Sequence, residues 1–180
     1  MSRMAEAFGP YERVPFAVEP LVARATAPGC FICEYLKGNP DYEHVEVYRT
    51  EDVVVFLDRY PTVFGRVMVA PVGHHTQVTG DFDETAYLAL QQLIFRVSEA
   101  MRAVLQPERI YILSLGSEAA NAHVHWHIVP VPAGLPLAEQ QFHTLMHEHG
   151  AVQVPKHDMA RYAASLKAQL KLEHLGVREN

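Results

Sequence analysis

His123-Val124-His125-Trp126-His127-Ile128-Val129-Pro130 sets three histidines at every second position, with large apolar residues between them. A two-residue period predicts a β-strand with the imidazoles on one face and Val124, Trp126 and Ile128 on the other. Alternate residues on one strand face stand about 6.5–7 Å apart, so three imidazoles at that pitch can line one small anionic substrate. A lone histidine is usually a satisfied surface or core residue. Three in strict alternation beside a tryptophan are hard to explain by packing, because apolar side chains would pack there at lower cost.

Strand-like patterns recur upstream. Val45-Glu46-Val47-Tyr48 alternates and predicts an edge strand, while Val53 to Asp58 is a β-branched run suited to a buried one. Val67 to Pro71 gives a third, ended by its proline, and Arg109 to Leu115 a fourth. A long helix is expected between these last two. Asp81 with Glu84 resembles a capping box, and Leu88, Leu90, Leu93, Ile94, Val97, Met101 and Leu105 form the broad stripe of a helix laid on a sheet. A short helical turn is expected at Glu34 to Leu36. After the histidine strand, Pro130, Pro132, Gly134 and Pro136 break the pattern, and a final amphipathic helix runs from about His157 to His174. Between them, Gln140, Gln141, His143, His147 and His149 read as an exposed helical segment rather than as ligands. Mixed helix and strand periods in 180 residues predict one α/β or α+β domain with a substantial core.

The formal net charge is −6 with histidine neutral, and no five Lys or Arg residues cluster. Duplex nucleic acid and anionic membrane are therefore not expected as partners, whereas a nucleotide needs only a local pocket. No apolar run reaches the roughly 18–20 residues of a membrane span. The charged residues Arg3, Glu6, Glu12, Arg13 and Glu19 make residues 1–20 unlike a signal peptide, so cytoplasmic residence is the default expectation. The two cysteines, Cys30 and Cys33, are spaced C-x-x-C after Ala27-Pro28-Gly29, which suggests a knuckle-like turn. In a reducing compartment such a pair points to a metal or redox site, and a metal needs two further ligands from elsewhere.

The strand His123-x-His125-x-His127 with its two following apolar residues resembles the signature of the histidine-triad superfamily of nucleotide hydrolases and transferases. Cys30-Phe31-Ile32-Cys33 resembles its N-terminal zinc half-site. Phe56-Leu57-Asp58-x-x-Pro61 and Gly65-x-x-Met68-Val69-x-Pro71-x-x-His74 resemble its two central strands. The resemblance implies an α+β fold: an antiparallel sheet of about five strands, a long helix packed on it, and a homodimer. On that reading residues 1–29 are an N-terminal arm and 30–133 the histidine-triad domain. Residues 134–180 are a C-terminal extension with its own amphipathic helix, packed on the same domain.

The same resemblance assigns roles. Cys30, Cys33, His74 and His123 become a structural zinc site, with His75 as a competing ligand at that corner. His125 becomes the nucleophile at the α-phosphorus, giving a nucleotidyl-histidine intermediate, and His127 the partner that balances charge or proton at the leaving group. Ser114, Gly116 and Ser117 are candidate phosphate donors, and Asp58 a candidate ribose partner. Two departures stand out. Arg66 occupies a position where many members carry a histidine; it cannot act as a base, although it can pair with phosphate. Glu118-Ala119-Ala120-Asn121 replaces the usual Ala-Gly-Gln-(Ser/Thr), leaving Asn121 as a partial substitute. The expected function is hydrolysis at the α-phosphate of a dinucleoside polyphosphate or nucleoside phosphoramidate. Alternatives are a nucleotidyl transferase or phosphorylase, and a catalytically weak nucleotide-binding module. Metal on all three triad histidines is disfavoured, because one strand spaces them too far apart for a single ion.

Overall fold

A computed structural model describes residues 8–17, 19, 23, 29–118 and 120–174. Most of the notional arm, and the chain after residue 174, lie outside the described residues.

The centre is a five-stranded sheet built from β2 (Glu46–Arg49), β3 (Val53–Leu57), β4 (Val67–Pro71), β5 (Arg109–Ser114) and β6 (Trp126–Val131). Its order is β2-β3-β4-β6-β5, and every neighbouring pair is antiparallel. Strands β3, β4 and β6 are buried along their whole length, as their apolar runs require, while β5 at the edge is partly exposed. The expected strands are all present, each shifted by no more than two residues. The histidine strand is the most instructive shift. Its ladder begins only at Trp126, because Val124 N–H is spent on the His75 carbonyl.

The two faces of the sheet carry separate clusters. On one, Val55, Leu57, Val67, Val69, Trp126 and Ile128 pack against helices. On the other, Val54, Phe56, Met68 and Ala70 meet Ile32 and Tyr35 of a short helix, α1 (Phe31–Leu36). That helix covers only part of its face. His125 and His127 project into the remainder.

The helical layer is α2 (Glu84–Leu105) with α4 (Lys156–His174) alongside it and against β2. Helix α2 buries Leu90, Ile94, Val97 and Met101 of the stripe the sequence predicts, and Val104 where Leu105 was expected, Leu105 being only partly buried. Leu88 is a correction, being 56% exposed. So is the cap: Asp83, not Asp81, accepts the Ala86 N–H. The Asp81 carboxylate is already taken by the Thr76 and Gln77 N–H groups ahead of the helix. Helix α4 contributes Tyr162, fully buried, whose hydroxyl donates to the Gly65 carbonyl at 3.2 Å. Gly65 has φ +90°, a backbone conformation that favours glycine, and a Cβ there would press on the tip of the Leu105 side chain.

The helical segment expected around Gln140 and Gln141 is α3 (Leu137–Leu145), packed on β6, and one element was not expected: a two-stranded ribbon of β1 (Arg13–Val14) with β7 (Ala151–Val152). In this ribbon the described part of the N-terminal segment pairs with the chain after α3. Phe8 and Tyr11 stack on Phe64, and the Arg13 guanidinium donates to the Thr62 and Gly150 carbonyls.

Candidate active site and metal cluster

The three histidines fall into two environments. His123 lies just before β6 with its Nε2 2.9 Å from the Pro71 carbonyl. A carbonyl only accepts, so the ring proton sits on Nε2 and Nδ1 keeps its lone pair. That nitrogen is 3.4 Å from Cys30 Sγ and 3.5 Å from Cys33 Sγ, and Cys33 Sγ is 3.3 Å from His74 Nδ1. All four ligand atoms lie within 4.8 Å of one another. Tetrahedral zinc, with bonds of about 2.3 Å to sulfur and about 2.0–2.1 Å to nitrogen, spaces its ligand atoms about 3.3–3.8 Å apart. The cluster therefore suits one such ion. Burial pushes His123 down to about 4, so it is neutral and able to ligate near pH 7. Burial and the neighbouring Cys30 push the Cys33 thiol up to about 11, a trend a bound cation would reverse by favouring thiolate.

Local structure explains this convergence. Cys30 caps α1, its Sγ accepting from Cys33 N–H at 3.4 Å, so C-x-x-C forms the opening turn of the helix. His74 follows the end of β4. The competing His75 stacks its ring on Phe82, centroids 4.5 Å apart, and is not in the cluster.

His125 and His127 lie on the pocket side, ring centroids 4.8 Å apart. His125 Nδ1 donates to the His123 carbonyl at 2.7 Å, which leaves the lone pair on Nε2. In His127 the pattern is reversed: Nδ1 is 3.1 Å from an Arg66 terminal nitrogen. A guanidinium can only donate, so Nδ1 accepts and the His127 proton is on Nε2. Burial lowers the pKa of both rings, and the Arg66 charge lowers His127 further. Two neutral imidazoles thus stand side by side in opposite tautomers. One offers a lone pair at Nε2 and the other a proton.

These rings line a cavity of about 240 Å³ together with Asp58, Arg66, Gly116 and Asn121. The other two expected contacts are placed differently. Ser114 Oγ donates to the His125 carbonyl at 2.8 Å, supporting the strand from β5. Ser117 forms a two-hydrogen-bond bridge with Ala120 that closes the loop before the histidines. Gly116 at φ +125° is needed there, because a Cβ would overlap the Asn121 carbonyl. Asp58 is held between the Tyr60 N–H, at 2.9 Å from Oδ1, and Arg66, whose Nε lies 3.1 Å from Oδ2. This last contact is an ion pair off the angle of a hydrogen bond.

Several lining residues were not foreseen. Phe31, Tyr42 and His44 form an aromatic part of the wall, with Phe31 edge-on to His125 at 5.6 Å. Phe31 sits inside the C-x-x-C turn, so its proximity to the pocket could have been read once the metal cluster was accepted. His147, expected to be merely exposed, also lines the cavity, its Nε2 donating to the Tyr60 carbonyl at 3.0 Å. Its segment carries no period that marks it. His143 and His149 instead stack on each other, and Gln140 bonds Glu108 and the Leu135 carbonyl.

A five-stranded antiparallel sheet with a histidine strand flanked by a Cys/His cluster defines a class, and a family comparison agrees. Residues 39–133 match the HIT domain, and the chain belongs to that family. Membership places it generally among nucleotide-binding proteins, hydrolases and transferases. An uncharacterized HIT-like protein of Saccharolobus solfataricus is 31% identical over 104 residues, covering 56% of this chain and 73% of its own. Among solved structures, a hypothetical histidine triad nucleotide-binding protein from Sulfolobus tokodaii superposes with TM-score 0.63 at 20% identity, covering 80% of this chain and 94% of its own. A zinc-bound histidine triad family protein from Mycobacterium smegmatis gives 0.62 at 21% identity, covering 83% and 98%. The matched family region starts after both cysteines and ends before α3 and His147. Among the described residues, no helix is long and apolar enough to cross a membrane.

Proposed function

We propose that the chain is a nucleotide hydrolase that cleaves at the α-phosphate of a dinucleoside polyphosphate or nucleoside phosphoramidate, through a nucleotidyl intermediate on His125. The observation that carries this reading is the opposed tautomer pair. His125, with Nδ1–H tied to the His123 carbonyl, has its lone pair on Nε2 in a pocket, as a nucleophile requires. His127 presents Nε2–H beside it, suited to an oxygen that gains charge in the transition state. The aromatic wall of Phe31, Tyr42 and His44 gives a base a surface to stack on. Gly116 and Asn121 provide donors at the phosphate end. Asp58 anchors Arg66 in this reading, and each of its oxygens, with one contact made, keeps an acceptor site for a ribose hydroxyl.

Zinc at Cys30, Cys33, His74 and His123 belongs to the same proposal. The ligand spacing supports it, as does the zinc in the Mycobacterium smegmatis neighbour. When bound, the ion would supply a cross-link between the start of α1 and the histidine strand, holding Phe31 against His125. Metal analysis should give roughly one zinc ion per chain; protein with no zinc and freely titratable thiols would sink this part. A second copy of the chain is the proposed partner, on the side of β5 that has no strand beside it among the described residues. Ile112 and Leu115 there are about half exposed, and light scattering reads the outcome.

The deciding experiment incubates the protein with a diadenosine polyphosphate and with adenosine phosphoramidate, with and without inorganic phosphate. Adducts are quenched rapidly in alkali, because a P–N bond to histidine is acid-labile, and mapped by mass spectrometry. Nucleoside monophosphate as product, an adduct on His125, and a loss of about a thousandfold or more in His125→Ala are expected. Nucleoside diphosphate formed only with added phosphate would make the enzyme a phosphorylase. No turnover of either substrate would leave a binding module.

A further inference from the structure

Arg66, the departure from the family pattern, is 3% exposed at the start of β4. Its guanidinium is held on three sides: by the Asp58 carboxylate at Nε, by Thr62 Oγ1 at 3.2 Å and by His127 Nδ1 at 3.1 Å. These holders are themselves fixed. Asp58 N–H donates to the Arg66 carbonyl at 3.0 Å, and the Thr62 hydroxyl donates to the Thr144 carbonyl in α3. The guanidinium is thus built into the wall beneath His127.

We propose that Arg66 is a positioning residue that keeps His127 in a single state, one proton on Nε2, and so selects nucleotides whose leaving group departs as an anion over those whose leaving nitrogen must be protonated. The inference rests on the reading of His125 as nucleophile. A guanidinium neither accepts a hydrogen bond nor gives up its charge in a protein. A second proton on His127 Nδ1 would point at a cation 3.1 Å away. The other groups facing His127 do not offset this: the rings of His125 and His147 add no negative charge, and Asp58 lies behind Arg66 and pairs with it. On the neighbouring strands its partners are Met68 and Leu113, both apolar.

The consequence follows from where the electrons go. With an anhydride, the His125 Nε2 lone pair forms the bond to the α-phosphorus, and the pair of the broken P–O bond leaves on the phosphate chain. That anion is stable without a proton, so His127 can donate a hydrogen bond and keep its Nε2–H. Water then attacks phosphorus, the N–P pair returns to His125, and one proton passes to solvent. With a phosphoramidate the pair of the broken P–N bond must leave on nitrogen, which needs a proton at that moment. A neutral imidazole is a far weaker acid than the imidazolium Arg66 prevents, and would be left as imidazolate on supplying its only proton.

The test uses the full chain with its metal. Nitrogen-15 spectra, with His127 assigned by its loss in His127→Gln, should show an unprotonated Nδ1 and a protonated Nε2 unchanged from about pH 5 to 8. The ratio of kcat/KM for diadenosine tetraphosphate over adenosine phosphoramidate should favour the anhydride by about tenfold or more. In Arg66→Gln that ratio should fall by about tenfold, and the phosphoramidate kcat should fall as pH rises through about 6.5, where His127 loses its second proton. Arg66→Lys, which restores a cation, should recover part of the wild-type ratio. An ordinary titration of His127 in the wild type overturns the proposal. So does an Arg66→Gln variant that loses both activities equally, with unchanged ratio and pH profile. A wild type that turns over neither substrate overturns the nucleophile reading and the selectivity with it, while the spectra still decide the state of His127.

Discussion

The two faces of the central sheet use burial in opposite ways. Under α2 and α4, side chains such as Val55, Val69, Ile128 and Ile94 leave water with nothing polar to satisfy, and their gain is additive area. On the other face, His125 and His127 are 3% and 8% exposed, yet each must find a hydrogen-bond partner. They find partners of opposite kind, a carbonyl for one and a guanidinium for the other, and that difference sets which nitrogen of each carries a proton. Burial on the helix face stabilises the fold. On the pocket face it costs stability and fixes protonation.

The largest effect that tests this division is on the helix face. Ile94, 2% exposed on α2, should lose about 2–5 kcal/mol of stability on truncation to alanine, through lost transfer energy and an unfilled cavity. Urea unfolding measures it, and nucleotide turnover per folded molecule should stay within about twofold of wild type. A drop of about tenfold in turnover at full folding would show that the faces are mechanically coupled and break the comparison.

Acid should act on the pocket face instead. Folded His123 protonates only near about 4, whereas an unfolded histidine does so near 6.5. Between these values the unfolded chain binds more protons, so stability that is complete above pH 6.5 is lost as the pH falls toward 4. The slope is up to about 1.4 kcal/mol per pH unit for this one residue. His125 and His127, lowered in the same direction by burial, add to it. Unfolding of metal-free protein at pH 7, 5.5 and 4.5 reads the slope. Ile94→Ala should lower the whole curve without changing its steepness; a flat curve would mean that these rings are not buried neutral.

The apolar face was largely legible in the sequence, and the polar one only in outline. Alternation at Val53 to Leu57 and Val67 to Pro71, and the α2 stripe, are local patterns that burial enforces, so reading them needs no partner. The metal cluster was accessible only in part: C-x-x-C is a spacing signal, whereas His74 and His123 were assigned through the family resemblance. What could not be read was the use of each polar group. Asp81 looks like a cap until its carboxylate is seen on Thr76 and Gln77. Arg66 looks like a phosphate ligand until Asp58, Thr62 and His127 are found around it. His147 reaches the pocket only because α3 folds back over β6 and delivers it to Tyr60. Apolar side chains announce their environment by type, whereas polar ones take their role from partners distant in sequence.

Ser114 carries the smallest effect and the sharpest version of this lesson. As a serine at a strand end beside a phosphate site, it reads as a substrate donor. In the fold its hydroxyl is spent on the His125 carbonyl at 2.8 Å, across the β5–β6 pair. The two roles separate cleanly in Ser114→Ala. Losing a strand-to-strand hydrogen bond should cost about 0.5–1.5 kcal/mol of stability, with KM within about twofold of wild type and at most a several-fold fall in kcat as His125 loses part of its support. A rise of about tenfold in KM with kcat unchanged would instead put Ser114 on the phosphate. It would also mean that the hydroxyl turns away from His125 when substrate enters, so that the pocket face exchanges its internal hydrogen bonds for ligand ones, which the packed helix face has no means to do.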